Sequence, residues 1–314
     1  MKESPFPTVT LIGHGPVGRM FGDLLHDHGS RVMRFDRVPA PGVLEGDARI
    51  PDETLLESVR RSDLLLLALP EPVLADALKT LASHMPPHAL LVETASVKTC
   101  LEPIKQAQLA GREILGINPM FAPSLAMKGR SVAVIRQHYG KASECFESIL
   151  EKAGAVLVDM SAGYHDRIAA NTQALTHATI LAFAEALRQS GYSLTEILAV
   201  APPPFRVLAA LVARMLGQNS NVYLDIQSEN PYAADARRRL IEGISHCSAQ
   251  STATDTRAFA LWFEDISGYF GPEQRDLGEL CASLFANIPL VDIARDNPAT
   301  NNISIQTSVP EGIS

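Results

Sequence analysis

The chain has 314 residues, 46% hydrophobic and 20% charged, the balance of a globular protein with room for two cores. A formal net charge of −8 excludes a protein organised around nucleic-acid phosphates, while leaving room for a local basic pocket. Four widely spaced cysteines (Cys100, Cys145, Cys247 and Cys281) give no metal or redox spacing. Residues 1–5 lack a signal-peptide run, and the most apolar stretch, 198–213, is interrupted by Pro202, Pro203, Pro204 and Arg206. A cytoplasmic protein with reduced thiols, no membrane span and no metal centre is expected.

In chain order, residues 8–12 form a short apolar run that ends in Gly13-His14-Gly15-Pro16-Val17-Gly18. A helix should follow, with Val17, Met20, Phe21, Leu24 and Leu25 on one face and Gly29 as its C-cap. Residues 31–35 read as a second strand ending at Asp36, and 64–69 as a strand covered on both faces. Further strands are expected at 89–92, 114–117, 131–135 and 155–158, with helices such as 72–83 and 142–152 between several of them. From about residue 161 the strand-like runs stop and helical patterns cover 165–189, 205–216, 233–247 and 253–269. The last residues are rich in Asn, Ser, Thr and Pro and read as a disordered tail.

The glycine motif gains meaning from its context, since it follows a strand, opens a helix and is answered by Asp36. Gly13 permits the turn, Gly15 lets backbone approach a pyrophosphate, and Gly18 allows close helix–strand packing. The phosphates would sit at the helix N-terminus beside Pro16 and Val17, where free N–H groups favour anions. Asp36 can accept from both ribose hydroxyls and repels a 2′-phosphate, which favours NAD; Arg37 beside it weakens that preference. Leu69 and Pro70 should wall the same cleft. The competing reading is a glycine turn with no ligand. These features predict an α/β protein: an N-terminal Rossmann-type doubly wound parallel sheet over 1–160, an all-helical domain over 161–296, and the tail over 297–314.

Three later stretches carry the chemistry. Ser96-Val97-Lys98 follows the fourth strand, and Gly116-Ile117-Asn118-Pro119-Met120-Phe121-Ala122-Pro123 lies downstream. The helical half contributes His165-Asp166, then Asn171-Thr172-Gln173-Ala174-Leu175-Thr176-His177, then Arg206 and Arg214, eight residues apart near one helical face. Read singly, these are a helix start, a turn asparagine, hydrogen-bonded core histidines and surface arginines. Together, from about Val9 to Leu284, they resemble the prephenate dehydrogenases, with Tyr223 and Gln227 continuing the match. The resemblance implies NAD as cofactor, a small cyclohexadienyl dicarboxylate as substrate, and a homodimer formed through the helical half. It also implies that Ser96 bonds near the substrate's 4-substituent, that Lys98 and Gln173 shape the pocket, and that Arg206 or Arg214 binds a carboxylate. His177 is expected to reach the cleft sooner than His165. No mutase domain is expected before the dinucleotide fold, nor a regulatory domain after the helices.

The family's string has histidine, as base for the 4-hydroxyl, where this chain has Asn118, and glycine where it has Ala122. An amide cannot act as a base near neutral pH. A neutral 4-amino group expels hydride without prior deprotonation, because nitrogen holds its lone pair less tightly than oxygen. The expected reaction is therefore NAD-dependent oxidative decarboxylation of a 4-amino-4-deoxyprephenate to 4-aminophenylpyruvate. The alternatives are a prephenate or arogenate dehydrogenase in which His177 or a water serves as base, and a decayed NAD-binding sensor.

Overall fold

A computed structural model describes residues 4–109, 111–252 and 256–288. The strands are β1 (Thr8–Ile12), β2 (Arg31–Asp36), β3 (Leu44–Glu45), β4 (Leu64–Leu67), β5 (Leu90–Glu93), β6 (Ile114–Pro119), β7 (Ser131–Gln137) and β8 (Val156–Asp159). They form a single sheet in the order β3-β2-β1-β4-β5-β6-β7-β8. Helices α1 (Pro16–Asp27), α2 (Glu53–Arg60), α3 (Glu71–Leu81), α4 (Glu102–Gln108) and α5 (Lys141–Lys152) alternate with them. Leu64, Leu65, Leu66 and Leu67 are all buried, as a central strand covered on both faces requires. They alternate between two cores: Leu65 and Leu67 pack with Phe35, Leu74 and Leu78, whereas Leu64 and Leu66 pack with Phe21, Leu25 and Phe146.

The sheet departs from the all-parallel expectation at one point. β7 runs antiparallel to β6, with Asn118 opposite Ala133, and β8 then runs parallel to β7. Residues 120–130 form an irregular connection with no helix, and a parallel return would need a longer crossover. Asn118 thus lies within a strand rather than in a loop, one residue before Pro119 at its end.

The helical remainder comprises α6 (Ala162–Ala169), a π-helical turn (Ala170–Leu175), α7 (Thr176–Gln189), α8 (Leu194–Ala199), α9 (Pro203–Leu216), α10 (Ser220–Glu229), α11 (Ala233–Thr252), α12 (Thr256–Phe270) and α13 (Glu273–Ala286). The sheet stops at Asp159, where the sequence changes texture, yet the compact units divide later. One contains the described parts of 1–178 and 219–242, the other those of 179–218 and 243–314. α6 stays with the sheet because Asp166 binds the turn after β5, and Asn230 Nδ2 donates to the Asp166 carbonyl at 2.9 Å. The expected tail at 297–314 and the start of the expected helix at 253–269 lie outside the described residues. Among the described residues no helix is long and apolar enough to cross a membrane.

Candidate active site

The glycine turn has the form its sequence predicts. Gly13 adopts φ +99°, a left-handed conformation that disfavours side chains, and its N–H donates to the Phe35 carbonyl at 2.8 Å. A Cβ on Gly13 would collide with the Ala68 carbonyl, and one on Gly18 with the Gly13 carbonyl. A Cβ on Gly15 would meet nothing within 4 Å, so this backbone is open to an approaching group. Gly15 begins α1 without a side-chain cap, leaving first-turn N–H groups to an anion. Asp36 ends β2 and accepts from His14 N at 2.7 Å and Val38 N at 3.0 Å, which fixes its carboxylate beside the turn. Leu69 packs against Gly13, while Pro16, Arg37 and Pro70 are exposed and Val17 is half-buried. Open backbone, free donors and an adjacent carboxylate fit the pyrophosphate and ribose of NAD.

The turn after β5 is held by carboxylates from two other elements. Glu71, at the start of α3, accepts from Ser96 N at 2.7 Å and Val97 N at 3.1 Å. Burial pushes the Glu71 carboxyl up, against these hydrogen bonds. Asp166 accepts from Lys98 N, Thr99 N and Thr99 Oγ1 at 2.9, 2.9 and 2.6 Å. Ser96 itself is half-buried, and its hydroxyl bonds to no other described residue.

Lys98, expected to shape the pocket, is held inside the protein. Its side chain is fully buried, and Nζ donates to Glu93 Oε2 at 2.9 Å and to the Ile117 carbonyl at 2.8 Å. Lys105 Nζ meets the other Glu93 oxygen at 2.9 Å. Burial alone would raise Glu93, but the two ammonium groups hold its carboxyl at about 2. Lys98 is itself pushed below the usual lysine range, by burial first and then Lys105 repulsion, so the cluster stabilises less than Glu93 alone suggests. Through Ile117, this buried charge braces the residue just before Asn118.

Asn118 is 4% exposed, and its Nδ2 lies 3.0 Å from His165 Nε2. His165, 1% exposed, places Nδ1 at 2.8 Å from Asp166 Oδ1. Burial would raise the Asp166 carboxyl, yet bonds from His165, Thr99 and Lys98 outweigh it and hold the group below the usual range. Asp166 is therefore an acceptor, and a His165 ring that donates to it from Nδ1 alone has Nε2 free to receive the Asn118 amide. One carboxylate thus joins the turn after β5, through His165, to Asn118. Ala122 has no left-handed φ, so its methyl causes no backbone strain.

The histidine that meets Asn118 is His165, not His177. His177 packs edge-on against Tyr223, with centroids 4.9 Å apart. Gln173 lies in the π-helical turn with its Oε1 buried and unbonded, and Gln227 Nε2 donates to the Ala174 carbonyl at 2.7 Å. Arg206, expected to need an anionic partner, instead donates to the carbonyls of Ala201 at 3.1 Å and Leu198 at 2.8 Å, closing the end of α8. Arg214, on α9 of the same unit, is exposed. Sequence reasoning passed over Glu71, Glu93, Lys105 and Asn230; Asp166 was visible only as the neighbour of His165.

The model of the prephenate dehydrogenase dimerization domain matches residues 161–265. Over 282 residues the chain is 36% identical to the 4-amino-4-deoxyprephenate dehydrogenase of Streptomyces pristinaespiralis, covering 88% of this chain and 95% of that protein. The chain belongs to the prephenate dehydrogenase family. It is also 25% identical over 282 residues to a probable arogenate/prephenate dehydrogenase of Methanocaldococcus jannaschii, covering 88% of this chain and 63% of that protein. The crystal structure of prephenate dehydrogenase from A. aeolicus, in complex with hydroxyphenyl propionate and NAD+, shares the fold, with a TM-score of 0.67 at 18% identity. That match covers 83% of this chain and 96% of the other. Within the dimerization segment of this family member, Phe259, Leu261 and Phe263 on α12 stand exposed in the single chain.

Proposed function

We propose that the chain is an NAD-dependent 4-amino-4-deoxyprephenate dehydrogenase, forming 4-aminophenylpyruvate, carbon dioxide and NADH. The observation that carries this reading is the buried carboxamide of Asn118, bonded to His165, at the position where the family resemblance places an imidazole base. The 36% identity to the Streptomyces pristinaespiralis enzyme supports the same substrate. NAD, when bound, supplies the hydride acceptor, and the Gly13–Gly18 turn with Asp36 would hold it.

In the forward reaction the C4–H bond breaks, its electron pair leaves as hydride, and the bond to the C1 carboxylate breaks to release carbon dioxide. That second electron pair completes the aromatic ring. The developing electron deficiency at C4 falls on the 4-substituent. Nitrogen carries it as an iminium, and its N–H bonds become stronger donors as charge grows. An amide oxygen accepting one of them stabilises the transition state more than the ground state. A hydroxyl in the same place loses its proton as charge develops, and a side chain able to take it is worth about 10²–10⁴-fold. Ser96 and Asn118 are proposed to orient the amino group; a carboxylate role for Arg214 rests on the family resemblance alone, and Arg206 supports the end of α8. Gln173 and His177 are proposed to shape the substrate pocket, whereas Lys98 acts through the Ile117 carbonyl of β6.

The exposed apolar faces of α12 and α13 are proposed to be covered by a second copy of the chain. The free cysteines suit the reducing cytoplasm. A second reading, prephenate or arogenate oxidation with His165 as base, is favoured by the Asp166–His165 pair. Against it, the His165 Nε2 lone pair is already occupied by the Asn118 amide. Following NADH formation with the 4-amino and 4-hydroxy substrates side by side separates the two. The proposal requires the amino substrate to win, and a preference for prephenate defeats it.

A further inference from the structure

We propose that the Asp166–His165 pair is a positioning device that fixes the direction of the Asn118 carboxamide and presents only its oxygen to the ligand. The assignment of that ligand as a 4-amino group rests on the functional reading above; the direction of the amide does not.

A carboxamide has a donor end and an acceptor end of nearly equal size, so shape alone does not set which faces the site. Chemistry sets it here. Asp166 holds four donors: Lys98 N and His165 Nδ1 on one oxygen, Thr99 N and Oγ1 on the other. With both oxygens accepting, the carboxylate demands a proton on His165 Nδ1. The neutral ring then has a lone pair on Nε2, which can only accept. Asn118 satisfies it with Nδ2 at 3.0 Å, and Oδ1 is left on the opposite side of the amide. All three side chains are buried, so water cannot easily take either role. A His165 protonated on Nε2 would reverse the amide and present N–H groups, repelling an amine and favouring a carbonyl or carboxylate. The pair thus converts an ambiguous side chain into an acceptor.

The direct test is 15N NMR of the full-length protein labelled in its histidine rings, with the His165 signals assigned by their loss in His165→Leu. The expected signature is a neutral ring protonated on Nδ1, with Nε2 unprotonated and shifted by hydrogen bonding, and an Nε2 that changes in Asn118→Ser. A ring protonated on Nε2, whether neutral or cationic, overturns the proposal. The kinetic arm compares His165→Gln, whose Oε1 can accept from Asn118, with His165→Leu, which cannot. His165→Leu should lower kcat for the amino substrate about 10–100-fold with KM for NAD unchanged, and His165→Gln should recover most of it. Equal loss in both variants assigns His165 a proton-transfer role and also overturns the proposal. A wild-type preference for prephenate would defeat the functional reading alone, because the ring signals decide the amide's direction without substrate.

Discussion

Restoring an imidazole at position 118 tests the central idea most directly. In Asn118→His the new ring meets His165 Nε2, which accepts, so its proton faces inward and its lone pair faces the ligand. That is the tautomer a base needs. A well-placed base is worth about 10²–10⁴-fold, or roughly 3–5 kcal/mol at 1.36 kcal/mol per tenfold. The site was not shaped for the larger ring. Asn118 is 4% exposed and lies opposite Ala133, so overpacking costs about 1–3 kcal/mol of stability. A displacement of about 1 Å can cost 10²-fold in rate. The expected outcome is therefore a gain of about 10–100-fold in kcat/KM for prephenate, with an acid limb in the histidine pH range. The assay is NADH formation from both substrates across pH, with thermal unfolding and NAD binding as controls. A folded, NAD-binding variant with no gain on prephenate refutes the argument that a missing base limits oxygen chemistry.

Three further outcomes follow from the same geometry. Glu93→Gln should cost about 3–5 kcal/mol in urea unfolding, because two buried ammonium groups lose their shared counter-charge; a loss below about 1 kcal/mol contradicts the buried cluster. In the wild type the Glu93 carboxyl sits at about 2 against an ordinary 4.5, so its contribution is complete above pH ~4.5 and falls as pH drops toward 2. Unfolding series between those limits should show the loss, and the slope should shrink in Glu93→Gln. Gly13→Ala should lower the melting temperature, since its Cβ meets the Ala68 carbonyl, whereas Gly15→Ala should leave folding unchanged and weaken NAD binding by calorimetry. Arg214→Ala should raise KM for the dicarboxylate about 10-fold or more with stability retained, and Arg206→Ala should lower the melting temperature by uncapping α8.

Much of the sheet was legible because its strands are short apolar runs between turn residues, and the glycine motif declared both its turn and its ligand face. The strand holding Asn118 was less legible. Pro119 and Pro123 suggest a loop, and only pairing with β7, a tertiary event, extends the strand through Pro119. That His165 meets Asn118 was hidden for a different reason. His165 and His177 lie twelve residues apart with a π-helical turn between them, which changes the helix phase in a way that periodicity does not reveal. Glu93 and Lys105 carried no usable signal, since a charge ending a leucine-rich strand looks like an edge until its buried partners are known. Arg206 was expected to meet a carboxylate, but main-chain carbonyls at a helix end satisfy a guanidinium as well as an anion does.

The arrangement explains how the residue at 118 can change chemistry while the surrounding protein is retained. Its strand is braced from below by Lys98, which ties the Ile117 carbonyl to Glu93, and Gly116 has no Cβ because one would come within 2.5 Å of Glu93 Oε1. Its side chain is met laterally by His165, whose Nε2 can receive an N–H from an imidazole as readily as from an amide. Either occupant therefore leaves an acceptor facing outward: a basic nitrogen in one case, a nearly non-basic oxygen in the other. The hydrogen-bond pattern behind position 118 is the same for both, and the difference is confined to proton affinity. On the proposed function, selectivity between oxygen and nitrogen at ring carbon four is set by the side chain at 118, with the turn at Ser96 and the dinucleotide cleft left unaltered.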